Sequence, residues 1–195
     1  MAQYDFDRQI DRRNTNSLKY DFAVERGRPA DVLPLCEEER AQGWRNASPE
    51  KNASRLRDRD AGRCAAITAL WQGEPAGYVS VYWNPVSGPF AGMGIPEIVD
   101  FNVIERLRRR GIGSRLMDVA EHIAAGKCSR VCIGVGLHGG YGSAQRMYVR
   151  RGYVPDGSGV WYRDQNLPEG APCMNDDDLV LYLSKSLGGN HHDDH

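Results

Sequence analysis

A strand that feeds a glycine turn and leaves it as a helix limits this chain more than any other stretch. In residues 99–123, VDFNVIERLRRRGIGSRLMDVAEHI, Val99, Phe101 and Val103 alternate with Asp100 and Asn102, the period of a half-buried strand. Arg108-Arg109-Arg110-Gly111-Ile112-Gly113 follows. Ile112, Leu116, Val119 and Ile123 then fall at i, i+4, i+7 and i+11, so the spacing starts a helix at the glycines. Glycine lets a ligand approach the backbone closely. The first N–H groups of a helix have no partner within it and sit at its positive pole. The arginines bring more positive charge to the same mouth. In outline this is a phosphate site, although three arginines beside one G-x-G also describe a solvated face. Two nucleotide motifs are excluded. No G-x-x-x-x-G-K-[ST] occurs, and Leu116 stands where G-x-G-x-x-G needs its third glycine.

Arg108-x-x-Gly111-x-Gly113 after an apolar strand, with Val103 eight residues before Gly111, resembles motif A of the GNAT-type N-acetyltransferases. Ala144-Gln-Arg-Met-Tyr148-Val-Arg-Arg-Gly152-Tyr153 resembles a second segment of the same superfamily, and the resemblance spans roughly residues 28–187. It implies a single α/β (α+β) domain, with a mixed, largely antiparallel sheet and helices on both faces. It also implies acetyl-CoA as co-substrate and direct, ternary-complex transfer of the acetyl group to a primary amine of a small molecule or peptide. The backbone N–H groups of Arg109, Arg110, Gly111, Ile112, Gly113 and Ser114 would then hold the pyrophosphate, with help from Arg108. Asn102 and Val103, at the strand's end, would face the thioester carbonyl. Tyr148 is the candidate general acid for the departing thiolate, or else a tyrosine packed on the core. In many relatives an asparagine seven residues before that tyrosine contacts the pantetheine arm; here the position is Tyr141, which could stack along the arm.

Two carboxylates are candidates for the general base, Glu97 at the start of the central strand and Asp100. Strand parity places Glu97 on the face of Val99 and Phe101 and Asp100 on the other. Either also reads as a solvated strand-end charge. His138, in the loop GLHGGYG, is a further candidate or a solvated histidine.

The chain has 195 residues, is 41% hydrophobic and 26% charged, and carries a formal net charge of −1, which argues against nucleic acid or an anionic membrane as partner. Five arginines crowd into residues 106–115, a cluster that suits a small polyanion. The five cysteines show no C-x-x-C, so we expect reduced thiols, no metal site and a cytoplasmic protein. The start lacks an apolar signal region, and no apolar run approaches ~20 residues. Assembly as a homodimer is left open.

Residues 1–20 read as a polar arm, 21–187 as the domain and 188–195 as a disordered tail, including the histidines at 191, 192 and 195. Residues 4–35 also resemble the opening of the PLP-dependent cystathionine β-lyase/aminotransferase family, but that likeness stops at Cys36 and no PLP function is carried over. Along the domain we expect a short strand at 22–25, Asp31 capping a helix to Ala41, and a second helix over 48–59 capped by Ser48 with Pro49 at its first position. Strands over 63–71 and 76–83 flank a hairpin turn, and residues 84–96 form a loop. A strand over 129–135, a helix capped by Ser143, a short strand from Tyr153, a loop over 155–178 and a last strand over 179–183 complete the reading. The acceptor would meet the loops at 36–50, 84–96 and 155–178. There Trp44, Trp83, Trp161 and Tyr162 could wall a pocket and Asp176-Asp177-Asp178 attract a cation. The rival readings are a non-catalytic acyl-CoA-binding module and a nucleic-acid-binding protein that uses the arginines.

Overall fold

The computed structural model describes residues 22–44 and 47–188; the expected arm at 1–20 and the tail beyond 188 lie outside them. The chain forms two compact units. One takes the chain up to Val81 together with Asp100–His122. The other takes Tyr82–Val99 and the chain from Ile123 onward.

In the first unit, strand β1 (Phe22–Arg26) leads through a 3-10 turn (Pro29–Asp31) to helices α1 (Val32–Ala41) and α2 (Pro49–Asp60). Strands β2 (Cys64–Trp71) and β3 (Glu74–Tyr82) follow, and β4 (Glu97–Val103) enters this unit with its second half. The sheet order is β1-β2-β3-β4, with β1 antiparallel to β2 from Phe22↔Trp71 to Arg26↔Ile67. Gln72 and Gly73 both take positive φ, 54° and 82°, the mirror-image turn that matches strand twist in a two-residue hairpin. β3 lies tight against β4. A Cβ on Gly77 would stand 2.6 Å from the Asn102 carbonyl oxygen, and Ile104 N–H donates to Ala76 O at 2.9 Å. Ser48 caps α2 as expected, accepting from Lys51 N–H at 3.2 Å. Asp31 does precede α1, yet its carboxylate looks back to Arg28 N–H (2.8 Å) and the Arg28 guanidinium, so it closes the 3-10 turn rather than capping the helix. Helix α3 (Ile112–Ala125) begins between the two glycines and buries Ile112, Leu116 and Met117.

In the second unit, β4 is followed by β5 (Arg130–Gly136), helix α4 (Gly142–Arg150), β6 (Val154–Tyr162), β7 (Gln165–Asn166) and β8 (Leu179–Ser186), in the order β4-β5-β8-β6-β7. β4 and β5 run parallel, paired at Glu97↔Cys132 and Ile98↔Ile133, whereas β5–β8, β6–β8 and β6–β7 are antiparallel. The class expected from sequence, α/β with a mixed, mostly antiparallel sheet, is the one found.

Two further local expectations differ from the structure. Residues 155–178 are not all loop, because β6 runs to Tyr162 and β7 follows it. Pro155, Gly157 and Gly159 would each break a regular strand. The chain absorbs them in a register shift between Pro155 and Val160, where Asp156 Oδ1 accepts from Ser158 N–H (3.2 Å) and Oγ–H (3.0 Å). Ser143 does not cap α4. A 3-10 turn over Gly139–Tyr141 runs straight into the helix, which starts at Gly142 with Tyr141 in the capping position. No helix among the described residues is long and apolar enough to cross a membrane.

Candidate functional site

The glycine turn belongs to the first unit. Leu107, buried at the end of a 3-10 turn (Glu105–Leu107), pins the entry, and Ile112, buried at the start of α3, pins the exit. Between them Arg109 and Gly111 take φ of 62° and 84°. The two glycines do different work. A Cβ on Gly111 would meet nothing within 4 Å, so that position needs glycine for its backbone angle. A Cβ on Gly113 would stand 3.2 Å from Phe101 Cζ and 3.5 Å from Val103 Cγ2, so that position needs glycine to bring the helix onto β4. Arg115 N–H donates to Gly111 O at 3.0 Å, so the glycine itself closes the first turn of the helix.

The arginines are exposed but engaged. Arg106 pairs with Glu38. Arg108 Nε donates to Val103 O at 3.0 Å, with Nη1 3.4 Å from Glu105. The Arg110 guanidinium lies 5.3 Å from the Trp71 ring centre. The turn is therefore buttressed from behind, and Arg108 ties it to the end of β4.

At that end Asn102 and Val103 are buried. Asp100 is half-buried with φ of 54°, a left-handed residue inside a strand. It interrupts the alternation on which the parity argument rested: Ile98 is buried, Val99 to Phe101 are half-buried, and Asn102, Val103 and Ile104 are buried in succession. The Asp100 carboxylate accepts from Arg55 Nε at 2.6 Å and lies 3.5 Å from Lys51 Nζ. Burial alone would raise this carboxyl, but the Arg55 hydrogen bond and the two cations outweigh it and hold it below the usual carboxylate range.

The other expected side chains belong to the second unit. Glu97 is half-buried and faces Cys132 across the parallel pair. Burial first, and the Glu97 charge second, push the Cys132 thiol far above its ordinary value. Tyr148, on α4, is 4% exposed and lies 5.9 Å from the Tyr153 ring. Burial pushes its phenol far upward, so it is protonated at any ordinary pH. Gly152, at φ 87°, ends that helix in the left-handed conformation that helix ends favour, and Tyr153 N–H returns to Tyr148 O at 3.0 Å.

Tyr141 does more than occupy its loop. Its ring packs so closely on Gly136 that a Cβ there would overlap it. Its hydroxyl donates to Asp177 Oδ1 at 3.1 Å, and its ring meets His138 edge-on at 4.8 Å. His138 Nδ1 accepts from Gly140 N–H at 3.1 Å, which leaves Nε2 to donate to the same Asp177 oxygen at 2.9 Å. Sequence reasoning named Tyr141, His138 and, within the acidic run, Asp177, but not the contact that joins them. The glycines at 136 and 140 were the available signal, since each leaves room for one of the two rings. Arg55 was missed altogether, and nothing in its local sequence marks it. Trp161 packs edge-on against Tyr182 at 5.7 Å and gives its Nε1–H to Ser158 Oγ at 2.8 Å. No group of three or more His, Cys, Asp or Glu among the described residues could hold a metal ion.

Comparison with known proteins places this geometry. The sequence model of the acetyltransferase (GNAT) family matches residues 33–153. A search of curated proteins finds no match. Among solved structures, yncA from Salmonella typhimurium, solved with its cofactor acetyl-CoA, is 13% identical with a TM-score of 0.64, covering 88% of this chain and 96% of its own. A Salmonella typhimurium acetyl transferase that modifies the N-terminal serine of the 50S ribosomal subunit protein L7/L12 is 14% identical with a TM-score of 0.64, covering 86% and 96%. The ribosomal-protein-alanine N-acetyltransferase from Brucella melitensis is 18% identical with a TM-score of 0.61, covering 84% and 99%. At these identities the likeness is one of fold.

Proposed function

Because the chain belongs to the GNAT acetyltransferase family, we propose that it moves the acetyl group of acetyl-CoA directly to a primary amine of a small molecule or a peptide. One observation carries the reading: Gly111, left-handed and open on its Cβ side, stands where a 14-residue helix begins, beside three exposed arginines. The pyrophosphate is assigned to the backbone N–H groups from Arg109 to Ser114, with Arg108 bracing the turn. Acetyl-CoA, when bound, supplies the activated acetyl thioester. Asn102 and Val103 line the strand end assigned to its carbonyl. Tyr141 is the contact proposed for the pantetheine arm.

Tyr148 keeps its proton at working pH and is assigned as the acid that gives it to the leaving sulfur. Of the two carboxylates, Glu97 is assigned as the base. Asp100 is held as a carboxylate by Arg55 and Lys51 and is a poor proton acceptor for that reason. Cys132, fully buried with its thiol pushed up, is unsuited to carry the acetyl group, which supports direct transfer. Calorimetry with acetyl-CoA, then a panel of amines and N-terminal peptides assayed for thiol release, tests the reading. We expect binding and at least one acetylated amine; a protein that does not bind acetyl-CoA overturns it.

A further inference from the structure

We infer that Arg55 is a positioning residue: from α2 it holds Asp100 in its left-handed conformation and so fixes the end of β4 and the glycine turn behind it. This deepens the acetyl-transfer reading and rests on it. A non-glycine residue with φ of 54° inside a strand is strained, and it persists only where its surroundings over-determine it. Here the surroundings are one face of α2. Lys51 and Arg55 stand four residues apart, and each takes one oxygen of Asp100, Nζ at 3.5 Å from Oδ1 and Nε at 2.6 Å from Oδ2.

Arg55 is itself anchored. Its side chain is 7% exposed. Its Nη1 donates to Asn52 Oδ1 at 2.6 Å, and its guanidinium lies 4.6 Å from the centre of the Tyr78 ring. The Tyr78 hydroxyl donates in turn to Glu39 on α1. Asp100 is thus fixed to α2, and through it to α1 and β3. In the other direction the path is short. Ile104 N–H is bound to Ala76 O, and Arg108 Nε holds Val103 O at 3.0 Å. A shift at Asp100 would pass through Val103 into the turn within a few residues. The cavity that Arg55 lines is about 30 Å³, room for about one water and far below the ~300 Å³ of a small-molecule pocket. Arg55 therefore acts on the backbone rather than on a substrate.

Glycine accepts φ of 54° without strain, which gives the test. The parent, Arg55→Met, Asp100→Asn and the double variant Arg55→Met with Asp100→Gly are compared for acetyl-CoA affinity by calorimetry and for kcat on an amine found in the panel. Arg55→Met and Asp100→Asn are expected to lower kcat by roughly 10- to 100-fold, the loss that small misplacement of a site produces. Affinity should fall by a smaller factor. The double variant is expected to recover most of that kcat, because its backbone needs no ion pair to hold it. A double variant no faster than Arg55→Met overturns the inference, and Asp100 is then working by its charge or its proton. Parent-like rates in every variant overturn it too, while leaving acetyl transfer standing. A parent that binds no acetyl-CoA takes the proposed function down with it. Should Arg55→Met not fold, Arg55→Lys, with and without Asp100→Gly, carries the same comparison: it keeps the charge and loses the Nε geometry.

Discussion

Tyr148 keeps 4% of its surface exposed, and its buried phenol stays protonated at working pH. Tyr148→Phe preserves the ring and its contact with Tyr153 while removing only the hydroxyl. If that hydroxyl protonates the leaving sulfur, kcat falls by roughly 10²-fold and acetyl-CoA affinity stays within a few-fold, measured by steady-state kinetics and calorimetry. Flat values of both assign Tyr148 to packing. The two glycines of the turn separate by the same kind of argument. Gly111→Val forces a β-branched residue into φ of 84°, with open space around it. The expected result is loss of acetyl-CoA binding, with a melting temperature lowered only by the strain of that left-handed backbone, about 1–3 kcal/mol. Gly113→Val puts its side chain against Phe101 and Val103, where an added Cβ is already at 3.2 Å from Phe101 Cζ. It should lower the melting temperature as well as the affinity. Both glycines were legible in the sequence as a turn. Their division of labour was not, because close approach to Phe101 is a property of how α3 meets β4.

At the level of elements, local signals served well where one element fixes its own ends. Ser48-Pro49 marked the start of α2, and the spacing from Ile112 to Ile123 marked α3. They failed where a neighbour decides. β6 survives Pro155, Gly157 and Gly159 because β8 pairs with it on both sides of the register shift. Parity along β4 failed because Asp100 is held left-handed by residues 45 and 49 positions earlier in the chain, a separation at which local pattern carries no information. The contact between α2 and β4 has a pH signature. Asp100 is held below the usual carboxylate range, so its contribution to stability is present above the unfolded value near ~3.9 and is lost as pH falls through the folded value. Urea midpoints of the parent and of Asp100→Asn, measured from about pH 6 down to about pH 3, are expected to converge as the solution becomes more acid. A gap that stays constant even where the Asp100 carboxyl has been protonated would mean that its charge does not contribute to folding.

For the molecule as a whole, net charge and the state of the arginines bear on the choice of ligand. A formal charge of −1 offers no long-range attraction to a polyanion. Within the basic cluster, Arg106 is paired with Glu38, Arg108 is tied to Val103 and Glu105, and Arg110 stacks on Trp71. What the turn still offers is backbone at a helix start, which suits one compact anion better than a nucleic-acid backbone. The acceptor was not legible, because the loop that carries Asp177 is set by contacts with His138 and Tyr141, between residues 36 or more positions apart. Acetyl-CoA binding, by contrast, makes a quantitative claim on the whole fold. At a free concentration of 100 times Kd, a ligand that binds only the native state stabilises it by about 2.7 kcal/mol. For a chain of this size each kcal/mol moves Tm by about 2–4 °C, so acetyl-CoA should raise it by roughly 5–10 °C. The same addition should leave Gly111→Val unmoved. Calorimetric melting also asks how the two compact units unfold. A single cooperative transition should move as one. If the units melt separately, the transition that shifts should be the one that Gly111→Val uncouples from the ligand. A shift in Gly111→Val equal to the parent's would mean that acetyl-CoA is held somewhere other than the glycine turn.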